Sequence, residues 1–64
     1  MTLTKMLFLY DNRMGTTIIS DVNGDEIIRG KPSDVADRLS SHVLESRVIA
    51  FGFYDGELCI RINY

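Results

Sequence analysis

The stretch RVIAFGFYDGELCIRINY, running from Arg47 to Tyr64, decides how this chain folds. Asp55-Gly56 inside it is a two-residue hairpin signal, because a type I′ turn requires positive φ at both central positions. With that turn Tyr54 faces Glu57, and the pairs continue outward two by two. One face then reads Phe53 with Leu58, Phe51 with Ile60 and Ile49 with Ile62, all large and apolar. The other reads Tyr54 with Glu57, Gly52 with Cys59, Ala50 with Arg61 and Val48 with Asn63, which is mixed and small. A slip of one residue would scramble this sorting, so a single register is specified. The apolar face is expected to be the floor of the core.

Working outward, Thr16 to Val22 is β-branched and reads as a strand. Asn23-Gly24 and then Asp25 to Arg29 make a second hairpin. A two-residue loop there places Ile19 opposite Ile28; a three-residue loop with a glycine bulge places Ile19 opposite Ile27. Charge does not choose between them, since both leave acidic groups facing each other near the turn. Gly30-Lys31-Pro32 punctuates the chain before a helix with Ser33 as its expected N-cap and Asp34 and Asp37 near its positive end. Val35, Leu39 and Val43, with Ala36, form the buried stripe, and the helix is expected to fray between Ser41 and Leu44.

Residues 2–12 admit two readings. Leu3, Met6, Leu7 and Tyr10 fall at helical spacing, with Thr2 or Thr4 as N-cap, while Met6 to Tyr10 also fits a short buried strand. The helix is favoured, and it leaves Phe8 and Leu9 partly off the core stripe, where they could serve an interface. Asp11 to Gly15 breaks the element. The expected fold is therefore one α+β domain over residues 1–64, a two-layer sandwich in the order α-β-β-α-β-β. Its two hairpins form an antiparallel sheet of about four strands, with helices on one face.

Sixty-four residues bury only about 60% of the unfolded surface, so stability is expected to be marginal. One cysteine excludes an internal disulfide, and no Cys/His cluster offers a structural metal; self-association is the remaining support. A homodimer is expected. A net charge of −2 has the wrong sign for general nucleic-acid binding. The apolar run Met6–Tyr10 is too short for a signal sequence or a membrane span, which need roughly 7–15 and about 20 residues respectively. A soluble, cytoplasmic protein without membrane contact is expected.

Chemistry-bearing candidates are few. Asp21-x-Asn23-x-Asp25 carries the first ligands of a calcium loop, but Glu26 and Pro32 stand where that loop needs Gly and Glu. Ala50 to Tyr54 looks slightly like the aromatic motif of RNA-recognition domains, yet Ile49 replaces its basic residue. His42 lacks a facing nucleophile, and Cys59 lacks a neighbouring cation to lower its pKa. No catalytic residues, metal ligands or cofactor are assigned, and an enzyme is not expected. The mixed hairpin face, with Val48, Ala50, Gly52, Tyr54, Cys59, Arg61 and the terminal Tyr64, has the small, aromatic-edged composition of protein interfaces. It is the candidate interaction surface, against the plain alternative of a solvent face.

The layout TIISDVNGDEII, PSDVADRL, RVIAFGFYDGELCIRI resembles small uncharacterised accessory proteins of bacteriophages and prophages. That resemblance spans nearly the whole chain, rests on hairpin turns, and implies a bacterial cytoplasmic setting with no catalytic residues. The expected function is a non-catalytic protein-interaction module, in its sharpest form an inhibitor or modulator of a host or defence protein. Alternatives are a nucleic-acid-associated protein using Lys5, Arg13, Arg29, Lys31 and Arg61, or a small-ligand binder at a dimer interface.

Overall fold

A computed structural model describes residues 1–10 and 15–64. The order is α1 (Leu3–Leu9), β1 (Thr17–Ser20), β2 (Glu26–Gly30), α2 (Pro32–Arg38), α3 (Ser41–Leu44), β3 (Val48–Tyr54) and β4 (Glu57–Ile62). The four strands form one sheet in the order β2-β1-β4-β3. The α+β layout is as expected, with one difference: each hairpin is antiparallel, but they meet through a parallel β1–β4 pair. The sheet is therefore mixed. Turn signals specify which strands make a hairpin; they carry no information on how two hairpins join.

The C-terminal hairpin keeps the expected register from Tyr54–Glu57 to Ala50–Arg61. Asp55 (φ 53°) and Gly56 (φ 78°) take the left-handed conformations of a type I′ turn. Beyond Ala50 a bulge intervenes, and Val48 rather than Ile49 opposes Ile62. One extra residue on the bulged strand exchanges the faces of the residues beyond it. Val48 thus packs against the core instead of lying on the mixed face.

The first hairpin combines the two registers that the sequence leaves open. The Asp21 carbonyl accepts from Gly24 N–H at 3.0 Å, and Asp21 N–H donates to the Asp25 carbonyl at 2.9 Å, so Val22-Asn23-Gly24 is a three-residue loop. Gly24 supplies the positive φ it requires (88°). A second irregularity between Ile19 and Ser20 then restores the pairing of Ile19 with Ile28.

Residues 3–9 form a helix, capped by the Thr2 hydroxyl, which accepts from Lys5 N–H at 3.3 Å. Thr4 instead donates to the Leu44 carbonyl at 2.9 Å. The expected breaker lies largely in residues 11–14, outside the described residues. The second helical region is two helices, not one. Its N-cap is Lys31, with Pro32 at the first helical position, so Ser33 lies inside the helix. At Leu39 the backbone turns extended, and Ser40 caps a new turn by accepting from Val43 N–H at 3.5 Å. A serine preceded by extended backbone serves as an N-cap, which is why the pattern stops and restarts there.

The helices cover one face of the sheet. Leu3, Leu7, Val35 and Val43 from the helices meet Ile19, Leu58, Ile60 and Ile62 from the central strands. Among the helices, α2 packs chiefly on α1 and β2. Thr17 shares the inner face with Leu58 and is fully buried, and its hydroxyl has no partner among the described residues. A buried unpaired hydroxyl costs about 1–3 kcal/mol, and valine has the same shape without it. Thr17→Val should therefore raise stability by about 1 kcal/mol and the melting temperature by about 4–8 °C in a domain this small. Calorimetry showing no rise would mean that the hydroxyl is satisfied.

Candidate functional site

All three phenylalanines of the chain stand more than half exposed. Phe51 and Phe53 oppose Ile60 and Leu58 on the inner face, as the register requires, yet they expose 62% and 59% of their surface while Ile60 exposes 1%. The expectation that six bulky residues of this hairpin form the core floor therefore holds only for its β4 half. The reason is position. β4 is flanked by β1 and β3, whereas β3 is the sheet edge and the helices do not reach over it. Ile49, at the bulge, is 48% exposed.

A groove of about 300 Å³ runs between α1 and this edge, with Met6, Leu9, Tyr10, Phe51 and Phe53 in its walls and Leu58 at its floor. The Tyr10 and Phe53 rings face each other across it, centroids 6.1 Å apart and tilted by 44°. On the other flank of α1 a second groove, of about 360 Å³, lies against α2 and is lined by Leu7, Phe8, Pro32, Ala36 and Leu44. Phe8 at its rim is 91% exposed and Leu9 is 75% exposed. Helical spacing sets this arrangement: Leu3 and Leu7 point into the core, Thr4 and Phe8 turn to α2, and Met6, Leu9 and Tyr10 turn to β3.

The mixed face of the hairpin lies on the opposite side of the sheet. There the structure gathers Ala50, Tyr54, Cys59 and Arg61 with Ser20 around a shallow depression of about 230 Å³. The Tyr54 ring lies over Gly52, within 3.2–3.4 Å of where a Cβ on that glycine would stand. The Arg61 guanidinium rests against Gly24 of the first turn, 3.2 Å from the corresponding point. Two of the expected surface residues stand apart. Val48 is on the inner face, and Tyr64 sits at the far end of β4 from Tyr54, its carbonyl accepting from Val22 N–H at 3.4 Å.

Several of the polar candidates are taken up by turns and caps. Asp21 Oδ1 accepts from the amides of Asn23 (2.9 Å) and Asp25 (3.0 Å), so the Asp-x-Asn-x-Asp pattern is the wiring of a turn. Ser40 caps α3, and Ser46 donates to the His42 carbonyl at 3.0 Å. Among the described residues no three His, Cys, Asp or Glu side chains converge as metal ligands do. Arg29 binds Glu26, and that hydrogen bond holds the Glu26 carboxyl below its usual range. Lys5 lies in the helical layer, whereas the register places Arg29 and Arg61 together on the opposite sheet face. Arg13 lies outside the described residues. Among the described residues no helix is long and apolar enough to cross a membrane.

Comparison with protein-family models, with curated proteins and with solved structures finds no match.

Adjacent residues of α1 separate core from surface. Leu7→Ala should cost about 2–5 kcal/mol, the range for truncating a buried leucine. Phe8→Ala should change stability by no more than about 0.5 kcal/mol, as for an exposed site. Urea denaturation of both variants checks this; equal losses would show that Phe8 is packed.

Proposed function

We propose that this chain is a small, non-catalytic protein-interaction module that binds a protein partner along α1, with Phe8 and Leu9 as the projecting residues. One observation carries the reading. A seven-residue helix holds the core with Leu3 and Leu7 and presents a nearly bare phenylalanine and leucine on its outer side. Isolated exposed apolar residues are ordinary, but Leu9 adjoins further exposed apolar surface at Met1, Phe51 and Phe53, and Phe8 stands at the rim of the apolar groove toward α2. The fold gains nothing from keeping such a surface in water, and a partner groove or helix would gain a good deal. Each large aromatic side chain buries about 150–250 Å² when covered.

The sharper version, an inhibitor or modulator of a host or defence protein in a bacterial cytoplasm, rests on the resemblance of the sequence layout to phage and prophage accessory proteins. Asp21 is engaged in a turn and Ser40 in a helix cap, so these two groups serve the fold. The depression around Tyr54 and Arg61 supports a second surface on the mixed face, with a smaller apolar contribution.

Affinity capture from nuclease-treated bacterial lysate tests both surfaces. The wild-type chain should retain a defined protein, Phe8→Ser should lose it, and Tyr54→Ala and Arg61→Ala should keep it. Loss in the latter pair with retention by Phe8→Ser would move the binding surface to the mixed face. Retention abolished by nuclease, or no retention, would overturn the reading in favour of nucleic acid or a small ligand.

A further inference from the structure

We propose that the open edge of β3 takes a second copy of this chain. The two copies pair antiparallel about a two-fold axis, joining two four-stranded sheets into one of eight. This inference concerns the β3 flank of α1, which shares Leu9 with the proposed partner surface and leaves Phe8 on the other flank.

The two edges of the sheet are built differently. The β2 edge carries the Glu26–Arg29 ion pair and a bulge, both of which discourage strand addition. The β3 edge, Val48–Tyr54, contains no charged residue and exposes large apolar side chains along its length. Part of it is already covered. Leu3 N–H donates to the Ser46 carbonyl at 2.9 Å, and Val48 N–H donates to the Met1 carbonyl at 2.8 Å. Only the stretch beyond the bulge, from Ala50 to Tyr54, remains open.

Register follows from backbone geometry. Tyr54 and Glu57 flank the two-residue turn and exchange both backbone hydrogen bonds, so Ala50, Gly52 and Tyr54 aim their backbone groups at β4. Phe51 and Phe53 aim theirs outward. An antiparallel pairing centred on Gly52, the midpoint of the open stretch, sets Phe51 of each copy opposite Phe53 of the other. It satisfies every outward N–H and C=O of these two residues. On the inner face it makes two cross-strand aromatic pairs, walled by Met6, Leu9 and Tyr10 of both copies. On the outer face each Tyr54 meets a partner Ala50, small enough to seat it.

Charge and area agree with this occupant. In this register Asp55 of one copy falls opposite Ile49 of the other, two residues from Arg47, so an acidic and a basic residue lie near each other at both ends of the pairing. The exposed parts of Phe51 (62%), Phe53 (59%) and Tyr54 (66%) alone amount to roughly 280–470 Å² per copy, a substantial share of the ~800 Å² per partner in stable interfaces. A domain of this size also has a use for added burial.

Light scattering of the full chain should give twice the 7.3 kDa mass of one copy, falling on dilution. Phe53→Lys sets a charge on the edge and should weaken association by at least about tenfold, whereas Phe8→Ser should leave it unchanged. Amide exchange supplies a test on the unaltered protein, should the lysine variant fail to fold. The Phe51 and Phe53 amides should exchange slowly in concentrated solution and speed up on dilution, while those of Gly52 and Tyr54 stay protected throughout. A mass of one copy at millimolar concentration overturns the proposal, whatever the lysate experiment shows. So does an assembly larger than two chains, or a dimer in which Phe51 and Phe53 exchange freely.

Discussion

Parallel pairing of β1 with β4 is the constraint from which the remaining structure follows. Two hairpins can be joined through either strand of each, and every choice leaves a different pair at the edges. Here the join buries Ile19 against Ile60 and Thr17 beside Leu58, and makes β2 and β3 the edges. A residue on a central strand is flanked on both sides and roofed by the helices. An equally apolar residue on an edge strand has a neighbour on one side only. Ile60 and Phe51 are direct cross-strand partners, yet they fall in opposite environments for this reason.

Much of the local structure was legible. The Asp55-Gly56 turn and the register down to Ala50 rest on short-range rules of φ preference and alternation, while the helix carrying Leu3 and Leu7 was favoured by periodicity but left open against a strand. Features that depend on contacts distant in sequence were not. The bulge that exchanges Val48 for Ile49 has no signature among its neighbours. The break at Leu39 and Ser40 was written in the sequence as a serine able to cap, but the apolar stripe running through Val43 masked it. Alternation tells which face a side chain occupies; it does not tell whether anything covers that face.

The same limit explains how the candidate surfaces compare. Composition drew attention to the mixed face because small residues with aromatic edges are common at interfaces. The structure does bring Ala50, Tyr54, Cys59 and Arg61 together there. It also places the largest exposed apolar groups on the other side, at Phe51 and Phe53, in positions that read as core from the hairpin alone. Phe8 and Leu9 were visible as residues off the helical stripe. Their continuity with the β3 edge through Met6 and Tyr10 could not be read without the tertiary fold.

A chain of 64 residues must divide a limited set of apolar side chains between holding itself together and meeting others. Here the division follows residue type. The core is built from leucine, isoleucine and valine, and the phenylalanines are left outside. Branched aliphatic residues pack the narrow space between short helices and a twisted sheet. Phenylalanine offers a large, stiff surface that loses little conformational freedom when covered. The unequal edges fit this division. Charge protects β2, and its absence on β3 coincides with two phenylalanines whose backbone groups face outward. The exposed aromatic surface and the outward-facing backbone are therefore properties of one and the same edge.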